Sequence, residues 1–238
     1  MNRRMTSLSV SGLALCAVVA LVPMGCSKNR PLNIVRRDAD FAMRAGNYEA
    51  AERDYQAYLD RKPEENGVRV QLAQAQLEQG KARDAAGNLY IALDVEPMND
   101  AIIDAYAQSL YQAGEKDSLT AFVNRSASER QRTVDYIRVA KFMQAIGHPD
   151  EARQALHTAA KLDDGRSFPV QMALADFYKG FGDRERYVRR LRMAYFLEPE
   201  NAALVKAIRE AGEVPGPTFA LAPEEMTMPT ISAVPEGR

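Results

Sequence analysis

The 238-residue chain reads as all-α, a solenoid of about five stacked helix-turn-helix units closed by a capping helix. Three observations predict this. Glycines stand at Gly46, Gly80, Gly114, Gly147 and Gly182, with gaps of 34, 34, 33 and 35 residues. An alanine precedes each glycine by seven residues: Ala39, Ala73, Ala107, Ala140 and Ala175. Pro63, Pro97 and Pro199 keep the same beat. Self-similarity at a fixed period near 34 marks a repeat architecture. Helices as short as this spacing allows are marginal alone, so the units must stack to bury their apolar faces.

Within each unit the residues have mechanical reasons. The turn glycine takes positive φ at a helix end without steric cost. The alanine lets the first helix approach its partner closely. On the second helix a small residue stands five past the glycine (Ala51, Ala85, Ala152), and a larger apolar one follows four later (Tyr55, Leu89, Leu156, Leu191). Spacing of four places both on one face, and Ala92, Ala159 and Ala194 extend the stripe. Asn47 and Asp183 are natural N-caps, and Pro149 suits a first helical position. The prolines end their helices.

Three departures stand out. In the third unit Leu119 and Ser126 replace small residues and no proline closes the unit. "SASE", Ser126–Glu129, reads as a capping box, predicting a shortened second helix and then a long helix from about Ala127 to Ile146. In the fourth unit Asp163-Asp164-Gly165 takes the proline's place. In the fifth, Tyr187 fills a usually small position, predicting looser packing. Beyond Asn201, "AALVKAIREAG" is helical, with Leu204, Val205 and Ile208 on one side, as a solenoid end requires. "EVPGPTFALAPEEMTMPTISAVPEGR" holds five prolines in 26 residues without periodicity, predicting a disordered or extended tail.

The repeat resembles the tetratricopeptide repeat over residues 32–201, about 70% of the chain. That resemblance implies a right-handed α-solenoid with units at 32–65, 66–99, 100–132, 133–167 and 168–201, a cap at 202–212 and a tail at 213–238. It also implies that a protein or peptide partner lies in a groove lined by first helices. By helical spacing the lining is Arg36, Asp40 and Met43, then Val70, Gln74 and Leu77, then Asp104, Gln108 and Tyr111. Ile137, Lys141 and Gln144 follow, and Met172, Asp176 and Lys179 close the row. This mixture of apolar, amide and charged groups suits an extended peptide or a helix. Chaperone-binding members of the family clamp a carboxylate with Lys and Asn. Those places here hold Arg36, Asp40, Gln71, Ala101 and Ala105, so that clamp is absent.

The N-terminus, "MNRRMTSLSVSGLALCAVVALVPMGCSK", has Arg3 and Arg4, then an uncharged run from Met5 to Ser27, the parts of an export signal. Gly25-Cys26 resembles the bacterial lipoprotein lipobox, whereas Pro23 and Met24 depart from it. The resemblance implies cleavage after residue 25, acylation of Cys26, and a short linker through residue 31. Ser27 in place of Asp implies outer-membrane retention facing the periplasm. The alternative is an uncleaved helix, since the 23 uncharged residues are long enough to span a bilayer. Cys16 lies inside the signal and lipid would block Cys26, leaving no free thiol.

The mature chain would carry 29 basic and 32 acidic side chains, which gives no electrostatic case for nucleic acid. No motif implies a cofactor. His148 and His157 are nine apart with no mature thiol nearby, a poor metal set. "GFG", Gly180–Gly182, follows a helix and lacks a third glycine, so it is the repeat's turn rather than a phosphate loop. Asp38 with Asp40, Glu64-Glu65 and Glu224-Glu225 bring carboxylates together without apolar surroundings to tune them. No nucleophile motif is present. A non-enzymatic envelope scaffold or adaptor, of the kind that assists assembly of pili, secretion systems or outer-membrane proteins, is the reading. "RERYVRRLR", Arg184–Arg192, reads as a solvated helix face. The alternative is a module for cell-wall glycan or anionic lipid, using those arginines. No feature demands an oligomer.

Overall fold

The computed structural model describes residues 30–226. Five helix pairs follow one another: α1 (Leu32–Arg44) with α2 (Tyr48–Leu59), α3 (Asn66–Glu78) with α4 (Ala82–Val95), and α5 (Asp100–Gln112) with α6 (Lys116–Arg130). Then come α7 (Thr133–Ala145) with α8 (Pro149–Leu162), α9 (Phe168–Gly180) with α10 (Arg184–Leu197), and the single helix α11 (Ala202–Glu210). No strand occurs among the described residues. The signal segment and Cys26 lie outside them, as do residues 227–238.

Each intra-unit turn is built the same way. Gly46, Gly80, Gly114, Gly147 and Gly182 have φ between 71° and 91°, and a Cβ on any of them would meet nothing within 4 Å. The glycine is therefore required by the backbone angle and not by space. Asn47 N–H bonds the Ala42 carbonyl at 2.9 Å and Gly46 N–H the Met43 carbonyl at 3.2 Å, the two bonds of a Schellman turn. The other four turns repeat this pairing. Asn47 and Asp183 accept from the N–H three residues on, and Pro149 opens α8.

The alanines serve the interfaces. Ala39, Ala73, Ala107, Ala140 and Ala175 are buried, as are Ala51, Ala85 and Ala152. The buried side chains form three clusters, one along units 1 and 2, one bridging units 2 and 3, and a larger one through units 3 to 5 and the cap. Leu204 and Ile208 of α11 face this last cluster while Lys206, Arg209 and Glu210 face solvent. First helices also touch one another, α3 with α5, α5 with α7 and α7 with α9, and successive second helices do not do so to that degree among the described residues. The first helices are therefore the inner row of a curved stack.

Two expectations are corrected. The third unit's second helix is not shortened. α6 runs 15 residues through "SASE", with Ser126 buried in mid-helix, so no capping box forms there. The break comes at Gln131, in the left-handed region at φ 48°, and α7 starts afresh at Thr133. A left-handed residue followed by ion-paired Arg132 ends the helix where other units use proline. The second correction concerns the tail. Residues 213–226 lie against α9, α10 and the Asp163–Gly165 turn: Phe219 and Pro223 are buried, Leu221 N–H bonds the Arg192 carbonyl at 3.2 Å, and Arg192 Nε bonds the Phe219 carbonyl at 2.8 Å. Proline-rich composition does not pack on itself, but α10 supplies it with partners.

Candidate functional site

The side chains expected to line the inner row sit on five successive first helices, and none of them is buried. Arg36, Asp104, Tyr111, Lys141, Gln144, Asp176 and Lys179 are exposed; Asp40, Met43, Val70, Gln74, Leu77, Gln108, Ile137 and Met172 are half-buried. The apolar members lean on the core beneath: Met43 on the first cluster, Val70 and Leu77 on the second, Ile137 and Met172 on the third. They are anchored at their bases and open at their tips.

Several of these residues have fixed neighbours. Asp40 accepts from the buried Tyr55 hydroxyl at 2.8 Å. Burial, followed by this carboxylate, raises the Tyr55 pKa, so the phenol stays protonated. Gln74 donates to Glu78 at 2.9 Å. Lys141 Nζ lies 5.0 Å from the centre of the Phe142 ring, and the Tyr111 ring stands 6.2 Å from it, linking the third and fourth units. Lys179 Nζ covers the buried Tyr187 ring at 5.6 Å. Although the Asp176 side chain is open to solvent, partial desolvation by its neighbours raises its carboxyl pKa despite Lys179 nearby.

Asp104 belongs to a cluster that sequence reasoning missed. Arg138 Nε donates to it from the next first helix, 34 residues on. Arg138 Nη1 also reaches Asp135 at 2.6 Å, and Arg132 reaches Asp135 at 2.9 Å and Asp100 at 2.6 Å. Arg130 Nη2 stands 2.9 Å from Asp135, within ion-pair distance but without hydrogen-bond geometry, and Arg130 Nε has no partner. Asp135 and Arg138 are buried. Burial pushes the Asp135 carboxyl up, but Arg132, Arg130 and Arg138 outweigh it and hold it below the usual carboxylate range. A signal existed: in register with Asp135 the other units carry Ile34, Val68, Ile102 and Val170. A charge in an apolar column needs paired charges around it. The cluster fastens the joint between units 3 and 4, at the rim of the inner row.

The arginine helix is a solvated face only in part, with Arg184, Arg186 and Arg189 exposed. Arg190 is buried, with Nη1 donating to Glu225 at 2.8 Å and Gln171 at 3.0 Å. Arg189 pairs with Glu224, and Arg184 bonds the Ala211 carbonyl at 2.8 Å and Glu213 at 3.1 Å. Glu224-Glu225 is thus spoken for, as are Asp38, paired with Arg30, and Asp40. His157 is half-buried and bonded to the Tyr178 hydroxyl at 2.9 Å rather than solvated, and His148 meets Glu151. Among the described residues no group of three or more His, Cys, Asp or Glu has metal-holding geometry, and no helix is long and apolar enough to cross a membrane.

The sequence matches no protein-family model and none of the curated proteins. Solved structures do match. A tetratricopeptide repeat protein from Parabacteroides merdae aligns at 16% identity over 76% of this chain and 72% of its own, with a TM-score of 0.54. MamA from Desulfovibrio magneticus RS-1 aligns at 13% identity over 75% of this chain and 99% of its own, with a TM-score of 0.52. The fold is a tetratricopeptide-repeat solenoid. At these identities the likeness speaks for the fold alone.

Proposed function

We propose that this chain is a non-enzymatic scaffold that holds an extended peptide or helix of a partner protein along its first helices, tethered in the cell envelope by lipid on Cys26. The observation that carries the reading is the row itself. Met43, Val70, Leu77, Ile137 and Met172 offer half-buried apolar footholds from units 1, 2, 4 and 5, and Gln74, Gln108 and Gln144 stand among them as amide donors and acceptors. A peptide backbone needs both. The lipobox-like Gly25-Cys26 supports the tether, and Ser27 supports residence at the outer membrane facing the periplasm. Assembly of an envelope complex is the role that suits a tethered scaffold.

Crosslinking in intact cells, with identification of what is caught, tests this. Changing Gln74, Gln108 and Tyr111 together to alanine removes the captured partner while leaving the helical signal intact. A partner retained at wild-type yield refutes the groove. Cys26→Ala abolishes lipid labelling and releases the protein from membranes; retention in the membrane refutes the lipid tether.

A further inference from the structure

Three departures from the repeat meet at one place. The Asp163-Asp164-Gly165 turn, the arginines of α10 and the acidic pair of the tail all converge on the second-helix side of units 4 and 5. Gly165 has φ 73°, and a Cβ there would stand 2.7 Å from the Pro223 side chain. This glycine serves both the angle and the space, unlike the five turn glycines. Met193 is fully buried, whereas the residues in register with it, Ala57, Ile91, Arg125 and Thr158, are exposed or half-buried. The tail covers it. Phe219 stacks edge-on against Tyr195 with ring centres 5.8 Å apart, and Arg192 fixes its carbonyl.

We propose that this face is a receptor for an extended acidic peptide, and that residues 217–226 are its built-in occupant, displaced by a partner segment carrying a further acidic side chain. The recognition elements are an apolar seat for Phe219, a side-chain-free seat at Gly165 for Pro223, and two arginines for consecutive glutamates. Buried Arg190 reads Glu225 with Gln171 at its side, and Arg189 reads Glu224. Beside Glu224 a cavity of about 350 Å³ remains, lined by Arg153, His157, Tyr178 and Arg186 together with Arg189 and Arg190. Glu224 is the only acidic side chain in that lining. Among the described residues the carboxylates paired with Arg153 and Arg186 are Asp150 and Asp183, three residues away on their own helix ends, and Arg186 also lies 5.5 Å from the centre of the Tyr178 ring. The occupant, residues 217–226, carries no acid besides Glu224 and Glu225. A partner with an acidic or phosphorylated side chain beyond the glutamate pair fills what the tail leaves. This site is independent of the first-helix row, so either stands if the other fails.

The test uses the full chain and a labelled synthetic peptide of residues 216–226, read by fluorescence anisotropy. A tethered occupant acts at an effective concentration of about millimolar, so against a roughly 10 μM competitor it weakens binding about 100-fold. The peptide is therefore expected to bind the Glu224→Lys, Glu225→Lys chain at least tenfold more tightly than the wild type. Binding to neither chain, or equally to both, overturns the proposal. Gly165→Ala added to the charge-reversed chain must weaken the peptide at least tenfold; undiminished binding would reduce the contact to unspecific charge attraction. Because that change strains the backbone, Arg186→Ser provides a separate check. It must weaken a peptide extended by two aspartates at the cavity end while leaving the unextended peptide unchanged, and equal effects on both overturn the role of the cavity. Wild-type dimers that dissociate when the tail is charge-reversed would make a second copy the seat of the tail and overturn occupation within one chain.

Discussion

Replacing Asp135 with alanine removes a carboxylate shared by Arg130, Arg132 and Arg138. Its side chain is 1% exposed and that of Arg138 is 3% exposed, so neither charge recovers hydration when the partner is lost. Breaking a buried ion pair from one side costs about 3–5 kcal/mol. Arg138 keeps Asp104 and Asp100, and Arg132 keeps Asp100, which places the cost at the lower end, about 3 kcal/mol. For a chain of this size that lowers Tm by about 6–12 °C. Urea unfolding followed by far-UV circular dichroism at neutral pH measures it. The companion variant is Asp135→Val with Arg138→Ala, which recreates the pair Val170 and Ala173 found in register in the fifth unit. Removing both charges together is expected to recover at least half the loss, because apolar replacement of a buried pair is often neutral. A single-variant loss under about 1 kcal/mol, or a double variant no better than the single, refutes the reasoning.

Ala85 is fully buried in the cluster bridging units 2 and 3, and Ala85→Leu is expected to cost about 1–3 kcal/mol by overpacking; an unchanged urea midpoint contradicts that. Tail docking should also depend on pH. Burial pushes the Glu225 carboxyl up, but Arg190 outweighs it and the group is held below its ordinary value of 4.5. A depressed carboxylate stabilises the docked form above its undocked value and loses that contribution as pH falls through the docked one. The protection factor of residues 217–226 against hydrogen exchange, corrected for the intrinsic pH dependence of amide exchange, is therefore expected to be high at neutral pH and to fall on acidification, and Glu225→Gln should flatten the acid limb. Protection that rises on acidification has the wrong sign for this account.

The fold was legible because its determinants are short-ranged. A Schellman turn spans six residues, so Gly46 and its fellows announce the hairpins, and the alanine stripes announce which faces meet. The inner row followed from helical spacing once the buried face was known. What escaped the reading depends on distance. Arg138 finds Asp104 one full repeat away, and only the apolar column of Ile34, Val68, Ile102 and Val170 hints that Asp135 is buried. "SASE" has the residues of a capping box, but Ser126 was already committed to the α6 interior, where tertiary burial overrode local preference. The tail was unreadable by composition, since its order rests on Arg189, Arg190 and Arg192 rather than on its own residues.

The division of the interior into three clusters has a consequence for how the molecule comes apart. A stack held together between neighbouring units opens locally below its cooperative transition; it frays from its ends, and each end loosens according to what restrains it. The carboxyl-terminal end is clasped, because the tail runs back over α10 and meets the turn at Gly165. The amino-terminal end is fastened more lightly, by Arg30, which pairs with Asp38 at 3.0 Å and Asp54 at 2.8 Å and whose carbonyl accepts from Arg61 at 2.6 Å. Loosening therefore begins at α1 and α2 and moves inward, and units 4 and 5 are the last to yield.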